Sequence, residues 1–148
     1  MIKTPRLVAV TAAIAISLLA APALTGCSVQ GIIKNATGGQ VDVGGSGSKP
    51  ADFPSNVPLI DGKIITSAGF GSGKEKVWNV TVETGGDNPT STIKGQLEGA
   101  GFTAEAGMDL TGEEGGTLFL TGDSLGIAVL IGKADGKWTA NYTVTPAE

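Results

Sequence analysis

The sequence predicts an α+β fold in which about six antiparallel strands form one sheet and a single helix packs across one face. Between residues 59 and 145, apolar and polar side chains alternate with a period of two over several stretches, which is typical of half-buried strands. One stretch in the middle instead has the i, i+4, i+7 spacing of a helix with one buried stripe. Glycine-rich turns separate these stretches. Glycine makes up 24 of the 148 residues, about twice its usual share of roughly 7%.

The first two strands are predicted over Lys63–Phe70 and residues 76–84, on either side of a turn at residues 71–73. The second is the clearer, because its apolar side chains share one face: Trp78, Val80 and Val82. Its other face is polar: Asn79, Thr81 and Glu83. Trp78, and Trp138 in the last strand, alternate with aliphatic neighbours, so both are predicted to lie in the core.

The helix is predicted to begin at Asn88 and Pro89, because asparagine is a good N-cap and proline is favoured at the first helical position. Gly101 supplies the expected stop. The residues predicted to form the buried stripe of this short helix are Ile93, Leu97 and Ala100.

Four strands are predicted after the helix, over residues 102–110, 116–121, 126–133 and 137–145. Asp135 and Gly136 lie between the last two, and this dipeptide predicts a tight hairpin. The last strand alternates strictly, with these apolar positions on one face: Trp138, Ala140, Tyr142 and Val144.

The first 26 residues have the three-part form of a secretory signal. Lys3 and Arg6 give a basic start, an uncharged apolar run follows over residues 7–21, and small residues precede Cys27. The apolar run is shorter than the roughly 20 residues that a membrane-spanning helix needs. No Arg-Arg pair is present, so the general secretory route is favoured over the twin-arginine route.

The residues Leu24-Thr25-Gly26-Cys27 resemble the lipobox of bacterial lipoproteins at all four positions. High usage of Gly, Ala and Thr is also similar to that of small actinobacterial lipoproteins. The resemblance covers residues 1–27 only, and no characterised family is recognised over residues 50–148. It implies that a diacylglyceryl group is attached to the Cys27 sulfur and that cleavage makes Cys27 the new N-terminus. The expected location is the extracytoplasmic face of the cell membrane, since two acyl chains give a stable anchor.

Three segments are therefore expected: a signal peptide over residues 1–26, a lipidated cysteine with a flexible Gly/Ser-rich tether over residues 27–51, and one domain over residues 52–148. Without the leader, eight Lys and Arg remain against 14 Asp and Glu, so the charge is near −6. This acidic balance disfavours nucleic-acid binding and electrostatic adhesion to anionic lipid. The expected partners are the lipid bilayer, through the anchor, and an envelope protein.

The chain has no histidine and only one cysteine. A single cysteine cannot form an internal disulfide, and without histidine the commonest general base and metal ligand is missing. We therefore predict neither a cofactor nor a resident metal, and no catalytic constellation.

One short motif suggests chemistry. Ser91-Thr92-Ile93-Lys94 resembles the S-x-x-K nucleophile motif of penicillin-binding proteins and serine β-lactamases, in which the lysine can activate the serine. The S-D-N and K-T-G motifs of those enzymes are missing, and the domain is too small for their fold. The alternative is a solvated first helical turn.

Two further patterns resemble ligand sites only in part. The glycine-rich residues 69–74 do not form a phosphate loop, because Ala68 and Glu75 stand where that motif needs Gly and Ser or Thr. Asp109, Glu113 and Glu114 form an acidic cluster, which is read as a solvated loop with weak cation binding left open.

The leading functional prediction is a membrane-anchored, non-enzymatic module that binds a component of the cell envelope. A small envelope serine hydrolase using Ser91 and Lys94 is the alternative. A solute-binding lipoprotein ranks last, because such receptors usually need two lobes and a longer chain.

Overall fold

The computed structural model describes residues 41–42, 46–106 and 109–147. In these residues eight strands form one antiparallel sheet, accompanied by one α-helix and a short 3-10 helix. The strands are β1 (Val41–Asp42), β2 (Lys63–Phe70), β3 (Val77–Thr84), β4 (Thr103–Ala104), β5 (Leu110–Gly112), β6 (Gly115–Thr121), β7 (Leu125–Ala134) and β8 (Lys137–Pro146). The helix α1 is Thr90–Gly99, and the 3-10 helix is Gly73–Glu75. The predicted fold class, a small α+β fold, is confirmed.

The strands lie in the order β1-β2-β3-β8-β7-β6-β4, and β5 also pairs with β6. Strands that follow each other in the chain pair from β1 to β3 and from β5 to β8. The connection through α1 instead takes the chain from β3 to β4 at the far edge, so that β8 pairs with β3, and both β4 and β5 pair with β6. The β7–β8 hairpin turns at Asp135 (φ 52°) and Gly136 (φ 77°), and two positive φ angles are the signature of a type I′ turn. The tight hairpin predicted at this dipeptide is therefore confirmed.

One face of the sheet carries the core. Val80 and Val82 of β3 are fully buried there, and β8 contributes the four predicted positions, all at most 4% exposed: Trp138, Ala140, Tyr142 and Val144. Strands β6 and β7 add the rest of the layer: Leu118, Leu120, Leu125, Ile127, Val129 and Ile131. Strict alternation along each strand places all of these side chains on one side of the sheet. Trp138 is confirmed as a core residue, whereas Trp78 is only half-buried at its margin.

Two segments cover this face. Helix α1 lies over the β6 and β4 side and buries Ile93 and Leu97 completely. The segment over residues 46–62, here called the N-terminal strap, packs Phe53 and Val57 into the same core. The strap is held by backbone and side-chain hydrogen bonds, among them one from Ile60 N to the hydroxyl of Tyr142 at 3.0 Å.

The ends of α1 follow the predicted signals with a shift of one residue. The helix begins at Thr90, and the Asn88 side chain accepts hydrogen bonds from Thr90 N at 3.0 Å and Thr90 Oγ1 at 2.6 Å. At the other end Gly101 has a φ of 94°, and Phe102 N donates to Leu97 O, the pattern of a Schellman cap. A difference of one or two residues at the end of a helix is usual.

Three predictions of local structure are wrong. Ala100 is exposed and does not extend the buried stripe, because the chain turns at Gly101 and Phe102, 4% exposed, enters the core instead. The single strand predicted over residues 102–110 is two short strands, β4 and β5, which pair with different parts of β6. This division and the additional edge strand β1 bring the number of strands in the described residues to eight, where about six were predicted.

The sheet also begins earlier than the predicted domain boundary at Asp52. Val41 and Asp42 pair with Phe70 and Gly69 as an edge strand, and Gly47 N donates to Ile64 O at 2.9 Å. Part of the segment predicted as tether therefore belongs to the folded unit. No helix among the described residues is long and apolar enough to cross a membrane.

Candidate functional site

The strongest sequence prediction, lipid attachment at Cys27, lies outside the described residues, as do the leader and most of the predicted tether. Of the candidate residues that the structure does describe, Ser91 and Lys94 lie in the N-terminal half of α1, and Asp109 directly precedes β5. These three residues line a groove of about 500 Å³, here called the α1 groove. Its lining residues are Asn88, Thr90, Ser91, Lys94, Asp109, Thr111 and Gly112.

The α1 groove exists because Asn88 joins two elements. Its Oδ1 caps Thr90, while its Nδ2 donates to the carbonyl oxygens of Gly112 at 3.0 Å and Glu113 at 3.4 Å. One side chain therefore fixes both the start of α1 and the end of β5, and the groove lies between them. The groove wall is thus set by a side chain that the sequence identified only as a helix cap.

Ser91 and Lys94 both line the α1 groove, where the Lys94 ammonium forms an ion pair with Asp109. Its Nζ lies 2.6 Å from Asp109 Oδ2, close enough for a charge-assisted hydrogen bond. The hydrogen bond that Lys94 donates to Asp109 raises the pKa of Lys94 above its usual 10.5 and outweighs the opposing effect of desolvation. A lysine that activates a serine must give up its proton near neutral pH, which needs a lowered pKa. The pairing therefore opposes the role that the S-x-x-K motif requires.

The predicted acidic cluster is divided by the fold. Asp109 is half-buried against Lys94, whereas Glu113 and Glu114 lie exposed in the turn between β5 and β6. Within the described residues, no group of three or more His, Cys, Asp or Glu is placed to hold a metal ion. Asp109 Oδ1 is buried and has no hydrogen-bond partner among the residues that the structure describes, where Lys94 binds only the other oxygen of this carboxylate.

A second surface was not singled out by the sequence. The sheet face opposite the core, here called the open face, has no described segment packed over it. Its residues form rows across the strands, as the register shows. One row is Thr81, Asn141, Leu130, Thr117 and Leu110, and the next is Asn79, Thr143, Ala128 and Phe119.

The β3 and β8 part of the open face is a closed hydrogen-bond network. The amides of Asn79 and Asn141 donate to each other at 3.1 and 2.9 Å, and they also reach Thr143 at 3.0 Å and Thr81 at 2.7 Å. Such cross-strand pairs stabilise the sheet, and the four side chains of the network are uncharged. The alternation along 76–84 predicted this polar face, but pairing across strands 60 residues apart is not visible in one sequence.

The β6 and β7 part of the open face is uneven. Leu110 and Leu130 project from it with 69% and 61% of their surface exposed. Beside them lies a recess of about 260 Å³, whose lining includes the carboxylate of Glu105 as well as Phe119, Gly126, Ala128, Thr143 and Thr145. Leu130, which projects, and Gly126, which lines the recess, lie four residues apart on β7.

Comparison with protein-family models, with curated proteins and with solved structures gives no match. Function is therefore inferred from the residues of this chain.

Proposed function

We propose that the chain is a lipid-anchored extracytoplasmic lipoprotein whose domain binds a component of the cell envelope without catalysing a reaction. Its anchor is the diacylglyceryl group implied by the lipobox at Cys27. The acidic charge of the mature chain supports this assignment, because electrostatic adhesion to anionic lipid cannot hold the domain at the membrane.

The observation that carries the non-enzymatic part is the Lys94–Asp109 ion pair at 2.6 Å. Ser91 and Lys94 are the one nucleophile-and-base motif that the sequence offered. With Lys94 protonated and held by Asp109, the Ser91 hydroxyl keeps its ordinary weak nucleophilicity.

We place binding at the α1 groove. Its volume of about 500 Å³ is within the range of ligand sites, roughly 300–1,000 Å³. The groove offers the exposed hydroxyls of Ser91 and Thr111 together with a cation and a carboxylate. This mixture of donors and acceptors suits a polar segment of a protein partner better than an apolar ligand.

A photo-crosslinking residue at Thr111, in the full chain in intact cells, tests this proposal. We expect capture of a specific envelope protein, identified by mass spectrometry. The matched control is the same probe at Thr92, which is exposed on α1 but does not line the groove. Equal capture of abundant neighbours from both positions, at the level of an unrelated lipoprotein, would contradict it.

A labelling experiment addresses the hydrolase alternative. A fluorophosphonate or β-lactam probe should give no labelled band for the wild-type chain. Labelling that disappears in Ser91→Ala would show that the domain is an enzyme and would replace the proposed function.

A further inference from the structure

We propose that the partner at the α1 groove is an extended, basic peptide segment, which adds to the sheet as a further strand beside β5. The inference rests on the proposed function, because it uses the same groove, and it names the chemistry of the partner there. Three features of the described residues support it: the free edge of the sheet, the side chains on the two sides of β5, and the charges around the groove.

The two edges of the sheet differ. At one edge, β1 pairs with the end of β2, and the N-terminal strap continues beside β2, where Gly47 N donates to Ile64 O at 2.9 Å. At the other edge, β5 pairs only with β6, and no described strand lies on its outer side. All three residues of β5 are exposed: Leu110, Thr111 and Gly112. Such an edge presents backbone N–H and C=O groups with which another extended chain can pair.

The α1 groove lies beside this free edge. Thr111 and the preceding Asp109 line the groove, and the opposite wall is the first part of α1. In a sheet, residues that lie opposite each other on paired strands point their side chains to the same side. A chain that pairs with the outer side of β5 therefore places every second side chain over the α1 groove.

Leu110 indicates what the alternate side chains of the partner should be. Its side chain lies on the other side of the sheet from Thr111, and 69% of its surface is exposed. An apolar residue opposite Leu110 in an added strand removes apolar surface of both side chains from water. The expected partner segment therefore alternates, with polar residues towards the groove and apolar residues towards Leu110.

The charges around the groove favour a basic segment. Within the lining, the Lys94 ammonium is neutralised by Asp109 at 2.6 Å. Three exposed carboxylates lie within two residues of Asn88 or Gly112, which also line the groove. None of the three forms an ion pair within the described residues: Asp87, Glu113 and Glu114. A lysine or arginine side chain over the groove is attracted by these carboxylates, and an acidic one is repelled.

The short length of β5 limits what backbone pairing alone can contribute. Three residues at about 3.3 Å each give roughly 10 Å of edge, so few hydrogen bonds to an added strand can form. Side chains over the groove and against Leu110 must supply the rest of the affinity. Because part of that affinity is electrostatic and exposed, binding should weaken as the salt concentration rises.

A synthetic peptide and the purified full chain in detergent test the inference. The probe is a fluorescent heptapeptide of alternating Lys and Val, and fluorescence anisotropy should show saturable binding. One matched peptide has Glu in place of Lys and tests charge. A second keeps every side chain but has N-methylated central amides, so it cannot donate hydrogen bonds to a strand. Each matched peptide should bind about tenfold more weakly or worse.

Two variants of the chain locate the binding site. Leu110→Lys adds a positive charge on β5 and removes the apolar contact, so it should weaken binding of the Lys–Val peptide about tenfold or more. Leu130→Lys is the matched control, because it makes the same change at a residue that is 61% exposed but lies on β7. It should change the affinity less than about threefold. Unchanged near-ultraviolet dichroism shows that each variant keeps its core.

Three results would overturn the inference: no saturable binding of the Lys–Val peptide, equally tight binding of the N-methylated peptide, or equal effects of Leu110→Lys and Leu130→Lys. The photo-crosslinker at Thr111 separates this failure from failure of the proposed function. Specific capture of an envelope protein without peptide binding keeps the proposed function and excludes an extended basic segment. Peptide binding at β5 without specific capture in cells keeps the strand pairing and contradicts the envelope partner.

Discussion

Tyr142 is the residue on which the two layers of the molecule depend most directly. Its ring is fully buried on the central strand β8, and its hydroxyl accepts a hydrogen bond from the backbone of Ile60 in the N-terminal strap. Burial raises the pKa of this phenol to about 12 and outweighs the opposing effect of the Ile60 hydrogen bond. Tyr142 therefore links the free energy of unfolding to pH in the alkaline range.

Alkaline titration provides the first prediction. In the unfolded chain a tyrosine ionises near pH 10, while folded Tyr142 keeps its proton to about 12. The folded state thus binds more protons in this window, so stability is complete below pH 10 and falls as the pH rises towards 12. Tyr142 is the only tyrosine of the chain, so phenolate absorbance reports on it directly.

The matching variant is Tyr142→Phe. Near pH 7 it should unfold about 1 kcal/mol more easily in urea, because Ile60 N–H loses its acceptor. Above pH 10 the variant should lose less stability than the wild type, because its core carries no phenol to ionise. Equal losses in both chains would refute the link to Tyr142.

Among the elements, α1 shows how one short segment is positioned by its ends. Asn88 caps the first turn and also bonds to β5, whereas the Schellman cap at Gly101 directs Phe102 into the core. Only Ile93 and Leu97 of the predicted stripe bury their side chains fully. Because so few side chains of α1 are fully buried, its two caps should contribute a large part of what holds the helix in place.

Asn88→Ala is accordingly predicted to cost about 1 kcal/mol of unfolding free energy, in the middle of the range for a lost N-cap. The measurement is urea denaturation followed by far-ultraviolet dichroism. Ser91→Ala in the same turn is the matched control and should change stability by less than about 0.5 kcal/mol, because Ser91 is exposed. A Ser91→Ala effect as large as that of Asn88→Ala would show that the cap is not responsible.

The sequence predicted those elements whose pattern is local. The prediction for Lys63–Phe70 is exact, and those for β6, β7 and β8 agree to within a residue or two. Each of these strands alternates with period two and has a glycine-containing turn at one end at least. The break between β4 and β5 was missed, since residues 102–110 also alternate. The two strands are separate because they pair with different residues of β6, and this pairing cannot be read from residues 102–110 alone.

The candidate site was predictable only in part. Ser91, Lys94 and Asp109 were all singled out from residue type, but their grouping depends on β5 folding back beside α1. The Lys94–Asp109 pair, 15 residues apart in sequence, reverses the chemistry that the serine and lysine motif suggested. Strand β1 was missed for a related reason, because two residues in a glycine-rich segment become a strand only by pairing with β2.

For the whole molecule, the property that matters most to the proposed function is lipid attachment at Cys27. Cys27→Ala should release the protein from membranes or leave it as an uncleaved precursor, because the acyl chains are the proposed anchor. Carbonate extraction and immunoblotting of membrane and soluble fractions measure this, with the exposed Thr92→Ala as control. A correctly cleaved Cys27→Ala protein that stays tightly bound would disprove lipid anchoring.

The N-terminal strap has a mechanical consequence for a domain held by that end. Tension from the bilayer would enter at β1 and act first on the Gly47–Ile64 hydrogen bond. It would then act on Asp52, whose carboxylate holds Lys76 at 2.8 Å and Trp78 at 3.0 Å. Helix α1 lies beyond these contacts in the chain, so the α1 groove keeps its shape under loads that peel only the sheet edge and the beginning of the strap.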